Sequence, residues 1–220
     1  MSNQLFIEKL EGLRQEEKYE EAIELANKLI CKDPSFAQAY EELGDVFLCQ
    51  KELTKAEKAL LYAVKLDPTS TNAHYLLGFC YGASGRYEES VASLKVADGL
   101  WPNNPEVLRC LGWSIFQVSA GKRKEGIEVL ERAVALRPMD VLTMTDLGVC
   151  YLTDRQFEPA TSILTEALKL SPDDERIKEA LENAEFFKIQ FQKLDQRDYG
   201  LLPPREIFEG PPPEDLATTL

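Results

Sequence analysis

Residues 37–68 read AQAYEELGDVFLCQKELTKAEKALLYAVKLDP, and this stretch decides the fold. Tyr40, Leu43, Gly44 and Phe47 fall at i, i+3, i+4 and i+7, the stripe of an amphipathic helix. Ala56, Leu60, Ala63 and Val64 form a second stripe at the same spacing. Between them Gln50–Thr54 is polar, with Leu53 placed to pack under the turn. Asp67-Pro68 ends the second helix, because the residue before proline is pushed out of the α region. The unit is therefore a pair of antiparallel helices.

The same pair recurs along the chain. Pro34, Pro68, Pro102, Pro138 and Pro172 lie 34, 34, 36 and 34 residues apart. Gly44, Gly78, Gly112 and Gly148 keep the same beat, and so do Ala63, Ala97, Ala133 and Ala167. A period near 34 means one supersecondary unit stacked on the next. Glycine inside a helix costs about 1 kcal/mol against alanine. Its return at one register position in four units points to a close helix crossing. The 36-residue spacing puts two extra residues near Ser119–Lys124, in a turn reading SAGKRK. That basic turn reads as a longer solvated loop rather than a contact point.

The ends depart from the pattern. In the first unit Phe6, Leu10 and Leu13 form the stripe, but Lys9-Leu10 replaces Leu-Gly. Its second helix, around Tyr19, Ala22, Ile23, Ala26 and Ile30, is regular. After Pro172, the acidic run Asp173–Glu175 favours a helix start. Ile177, Leu181, Ala184, Phe187, Phe191 and Leu194 then make one helix face that covers the open end of the stack. From Asp195, prolines at 203, 204 and 211–213 predict an extended or disordered tail.

These positions resemble the tetratricopeptide repeat family. Its pattern of a large residue, Leu-Gly, Tyr, Ala, a bulky residue, Ala and Pro is matched residue by residue in four units. The second gives Tyr40, Leu43-Gly44, Phe47, Ala56, Leu60, Ala63 and Pro68; the third His74, Leu77-Gly78, Tyr81, Ser90, Leu94, Ala97 and Pro102. The fourth gives Leu108, Leu111-Gly112, Ile115, Gly126, Leu130, Ala133 and Pro138; the fifth Met144, Leu147-Gly148, Tyr151, Ala160, Leu164, Ala167 and Pro172. The resemblance implies an all-α fold, a right-handed superhelical solenoid of antiparallel helix pairs with a C-terminal capping helix. The expected organisation is a solenoid over 1–194, with repeats at about 3–36, 37–70, 71–104, 105–140 and 141–174. The capping helix takes 175–194 and a Pro-rich tail 195–220.

Composition narrows the function. The 220 residues hold 38 acidic and 25 basic side chains, a net charge of −13. Nucleic acid and anionic membrane surfaces need clustered positive charge, so neither is expected as a partner. No run of 18 apolar residues and no secretory leader is visible, so membrane insertion is not expected. The five cysteines show no CxxC spacing. Cys80 and Cys150 share one register position and read as small packing residues, which favours a reducing, cytoplasmic setting. The only histidine, His74, sits at a core-facing position with no placed catalytic partner. Gly121-Lys122 lacks the rest of a phosphate loop. No enzyme activity, cofactor or metal is expected.

Function then falls to a binding surface. Each first helix carries a second stripe, which the family resemblance places on the concave groove. It reads Gln38, Glu41, Asp45, Leu48; then Asn72, Tyr75, Phe79, Gly82; then Glu106, Arg109, Trp113, Phe116; then Leu142, Thr145, Val149, Leu152. With Glu42 and Glu11, the N-terminal half is acidic and the middle aromatic. The expected partner-binding residues are Glu41, Asp45, Leu48, Tyr75, Phe79, Arg109, Trp113 and Phe116. They suit a protein or peptide with Lys/Arg at one end and apolar anchors at the other. The tail, with Tyr199, Leu201, Leu202, Ile207 and Phe208, is an alternative intramolecular occupant or a docking motif. The chaperone-tail clamp of some family members maps to Ile7, Glu11, Glu42, Asn72 and Leu76. Two acids there would repel a carboxylate, so no chaperone C-terminal peptide is expected. The function read from sequence is a non-catalytic interaction scaffold or adaptor. The alternatives are an acidic chaperone for a basic client and an accessory subunit of an enzyme.

Overall fold

The computed structural model describes residues 3–198, with side chains described for 5–193. Five helix pairs follow one another. They are α1 (Asn3–Gln15) with α2 (Tyr19–Lys32), α3 (Ala37–Cys49) with α4 (Leu53–Leu66), and α5 (Thr71–Ala83) with α6 (Tyr87–Leu100). Next come α7 (Pro105–Val118) with α8 (Arg123–Leu136) and α9 (Val141–Thr153) with α10 (Phe157–Leu170). A single helix, α11 (Glu175–Asp198), closes the series. No strand occurs among the described residues.

The pairs close through three columns of small and apolar side chains. Leu60, Leu94, Leu130 and Leu164 are fully buried, and Ala63, Ala97, Ala133 and Ala167 lie beside them. The glycine opposite each leucine is what the crossing needs. A methyl group on Gly44 would sit 2.6 Å from Leu60, and one on Gly148 would sit 2.5 Å from Leu164. The first unit solves the same problem with the sizes exchanged. Leu10 stands at the glycine position, Ala26 stands at the leucine position, and both are fully buried.

Turns inside the pairs share one geometry. Glu17, Lys51, Gly85 and Arg155 have φ near +60° to +73°. Around Lys51 the Glu52 N–H donates to Phe47 O at 2.8 Å and the Lys51 N–H to Leu48 O at 2.9 Å. This is a Schellman closure, which needs a left-handed residue at its apex. The fourth pair lacks it. Its two extra residues are taken up in a short exposed 3₁₀ turn of three residues, Ala120–Lys122, entered through an extended Ser119. Between pairs, Asp67 Oδ1 accepts from the Thr69 N–H at 2.9 Å and from its hydroxyl at 2.7 Å. Ser70, Asn104 and Asp140 cap the helices that follow.

The stack curves. First helices of successive pairs touch each other, α1 with α3, α3 with α5, and so on to α11, while no such contact joins successive second helices. The first helices therefore line the inner wall. His74 Nε2 lies 3.1 Å from Pro68 O, a structural tether at an inter-pair turn. Cys80 and Cys150 are buried free thiols.

α11 buries Ile177, Ala180 and Ala184, and Phe187 and Phe191 pack on Phe157 with centroids 6.2 and 4.9 Å apart. Lys178, Glu182 and Glu185 occupy the register positions that face a second helix in the earlier units, so α11 presents a polar face there. The helix runs past the Leu194 boundary to Asp198, since no helix breaker precedes Gly200. The rest of the tail, 199–220, with all five of its apolar anchors, lies outside the described residues.

Candidate functional site

The inner wall is built from register positions that alternate between packing and exposure. Phe79 on α5 is 41% exposed, and Leu142 on α9 is 44% exposed. Tyr75, Trp113, Val149 and Leu48 are half-buried. Trp113 leans on the cluster of Ile127, Leu130 and Leu147, and Tyr75 packs between the second, third and fourth units. The wall thus offers one exposed ring, Phe79, beside two half-buried ones.

Phe116 corrects the sequence reading. It is only 4% exposed and belongs to the core with Ile127 and Leu147. The Arg123 guanidinium covers its ring at 5.5 Å. Leu152, at the same register position of the next pair, is also buried, whereas Leu48 at that position of the second pair is half-buried.

Polar contacts tie adjacent first helices across the wall. Arg109 Nη1 donates to Asp146 Oδ2 at 3.0 Å, linking α7 to α9. Asn72 Nδ2 donates to Glu41 Oε2 at 3.2 Å, linking α5 to α3, and Glu41 itself is buried. Arg14 Nη1 pairs with Asp45 Oδ2 at 3.2 Å, linking α1 to α3. Arg109, Glu41 and Asp45 are thus already engaged within the chain. Burial pushes the Asp146 and Asp45 carboxyls up, and their arginines oppose that rise.

Glu42 is the residue left over. Its Oε2 lies 3.8 Å from Arg14 Nε, both atoms are buried, and neither makes a hydrogen bond. Burial pushes its carboxyl up to about 7; Arg14 opposes this, and Asp45, Glu11 and Glu41 add to it. Arg14 and Asp146 were missed in the sequence. Arg14 was legible, because it stands 34 residues before Leu48. Asp146 lies just beside the stripe, and the contact between α7 and α9 brings it to Arg109.

Among the described residues no group of three His, Cys, Asp or Glu is arranged to hold a metal, and no helix is long and apolar enough to cross a membrane. A depression of about 640 Å³ between α10 and α11 is lined by polar groups such as Glu158, Thr165 and Lys188, away from the aromatic wall.

Residues 15–97 match the family model of anaphase-promoting complex (cyclosome) subunit 3. The chain is 25% identical over 146 residues to anaphase-promoting complex subunit 3 of Schizosaccharomyces pombe, covering 66% of this chain and 22% of that one. It is 29% identical over 187 residues to human protein O-mannosyl-transferase TMTC1, covering 82% of this chain and 21% of that one. The chain therefore spans about a fifth of each of these relatives. The crystal structure of YrrB, a TPR protein with an unusual peptide-binding site, superposes with a TM-score of 0.65 at 20% identity, covering 80% of this chain and 90% of that one.

Proposed function

Because the chain belongs to the tetratricopeptide-repeat family, we propose that it is a non-catalytic scaffold that holds a peptide or helix of a partner protein on its inner wall. The observation that carries this reading is Phe79, 41% exposed on a wall where Tyr75 and Trp113 present further aromatic surface. Exposed aromatics flanked by engaged polar groups are the usual chemistry of interface anchors. The acidic first half adds a place for a Lys or Arg of the partner. A cytoplasmic setting suits the reduced thiols.

The test is affinity capture with the full chain and with Phe79→Ala and Trp113→Ala. Both should lose the same partner, with affinity down about tenfold or more, as expected for a buried aromatic anchor. Phe79→Ala is the cleaner variant, since so exposed a ring contributes little to the core. Unchanged affinity in a Phe79→Ala protein with native circular dichroism refutes the reading.

One observation favours a second reading. The net charge of −13 suits an acidic chaperone that shields a basic client. Binding of that kind weakens steeply as salt rises, whereas aromatic anchoring changes little. The similarity to a subunit of a large complex supports membership of an assembly; as an accessory subunit the chain would change a partner enzyme's rate. The intramolecular alternative is equally direct to test: removing 199–220 raises partner affinity if the tail competes for the wall.

A further inference from the structure

The α1–α3 end of the wall is one hydrogen-bond donor short. Glu42 feels one cation, Arg14, and three other carboxylates, those of Asp45, Glu11 and Glu41. Asn72 serves Glu41, and Arg14 Nη1 serves Asp45. Glu42 has only a long ion pair to Arg14 Nε, at 3.8 Å, with no hydrogen bond. Its side chain is 10% exposed and its Oε2 is buried. A buried acceptor left unpaired is costly, more so when charged. The structure therefore holds a preformed demand for one more cationic donor.

Resting on the groove-binding reading, we propose that Glu42 is the acceptor of a receptor for one Lys or Arg side chain of the partner, with Arg14 as its movable cover. Arg14 keeps 26% of its side chain exposed and already leans on Asp45. Swinging fully onto Asp45, it opens Glu42 to the wall, and the incoming cation takes the place beside the carboxylate. A metal ion is not the occupant, since no group of three metal-ligating side chains is arranged there. Half-buried Leu48, one turn beyond Asp45 on the wall stripe, can cover the aliphatic stem.

The receptor works as a carboxylate, so occupancy is tied to the proton on Glu42. The charges acting on Glu42 are Arg14 and Glu11 from α1 and Glu41 and Asp45 from α3. The other helices packed on α3, which are α2, α4 and α5, contribute none of them. With the carboxyl titrating at about 7, a cation binds weakly to the protonated form below that pH and strongly above it. Binding near neutrality releases a proton.

The test uses the full chain with carbon-13 labelled carboxylates, titrated by NMR with N-acetyl-arginine amide and, as the neutral control, N-acetyl-glutamine amide. The arginine compound should lower the Glu42 midpoint, and the glutamine compound should leave it in place. Affinity for the arginine compound should be about tenfold higher at pH 8 than at pH 5.5, and Glu42→Gln should abolish that difference. A midpoint unmoved at saturation, or wild-type affinity in Glu42→Gln at pH 8, overturns the inference. The midpoint is read on the unaltered protein, so a folding defect in the variant cannot mask it. If partner capture depends on Phe79 but Glu42→Gln captures as well as wild type, the receptor falls and the groove reading stands. If capture is indifferent to Phe79, the groove reading falls, and the midpoint still judges the receptor separately.

Discussion

Replacing Glu42 by Gln should make the protein more stable at alkaline pH while leaving it nearly unchanged in mild acid. The native carboxyl titrates at about 7 against an ordinary 4.5, chiefly because burial disfavours its charge. The native state thus holds its proton to a higher pH than the unfolded chain does. Stability is full below about pH 4.5 and falls as pH rises towards 7, the opposite sense to a salt-bridged carboxylate. A shift of about 2.5 units corresponds to about 3 kcal/mol at most, at 1.36 kcal/mol per unit. Partial solvent contact trims the loss between pH 5 and pH 8 to about 2 kcal/mol. Glutamine keeps the shape and removes the charge, so the variant should show a shallower profile than wild type over that range. At pH 8 it should exceed wild type by about 2 kcal/mol, or about 4–8 °C in Tm for a chain of this size. Urea unfolding at several pH values measures the slope, and amide exchange in α1 and α3 places it in the first two pairs. Equal slopes in the two proteins, or a less stable variant at pH 8, would refute the reasoning.

Three further outcomes follow from the packing. Gly126→Ala should destabilise by about 1–3 kcal/mol in chemical denaturation, because its methyl would lie 2.6 Å from Phe116 N and 2.7 Å from Gly112 O, and backbone cannot rotate away. Gly44→Ala should cost less, since Leu60 can turn its side chain aside. Lys51→Gly should raise stability by about 0.5–1 kcal/mol by relieving a left-handed residue at φ 60°, read from the urea midpoint at constant slope. Arg109→Leu strands Asp146 in a largely buried position and should cost about 3 kcal/mol. The double change Arg109→Leu/Asp146→Leu should recover most of that loss, a coupling that a double-mutant cycle reads directly.

The repeat, the helix pairing and the buried columns were legible without coordinates. They depend on contacts within one unit, where the 3.6-residue period and the size of each side chain are written in order along the chain. The Leu10–Ala26 exchange was equally open to reading: the same register that pairs Gly44 with Leu60 pairs these two. Even the placement of the two extra residues followed from Gly112 and Gly126, and they are taken up in the Ala120–Lys122 turn.

The wall was less legible, and the reason is geometric. Whether a ring at a groove position meets solvent depends on how the next pair tilts over it. Phe79 stays open, Trp113 is half-covered, and Phe116 is sealed beneath Arg123, although all three carry the same signature of a second apolar stripe. The ties Arg109–Asp146 and Arg14–Asp45 join residues on the first helices of successive repeats. Their partners are chosen by lateral contact between first helices, which no local period encodes. Sequence alone determined the stacked helix pairs, because each unit's core is local. Tertiary structure alone decided which groups on the inner wall are spent on neighbours and which, Phe79 and Glu42 foremost, are left unsatisfied, because exposure and charge pairing there arise only where separate units meet.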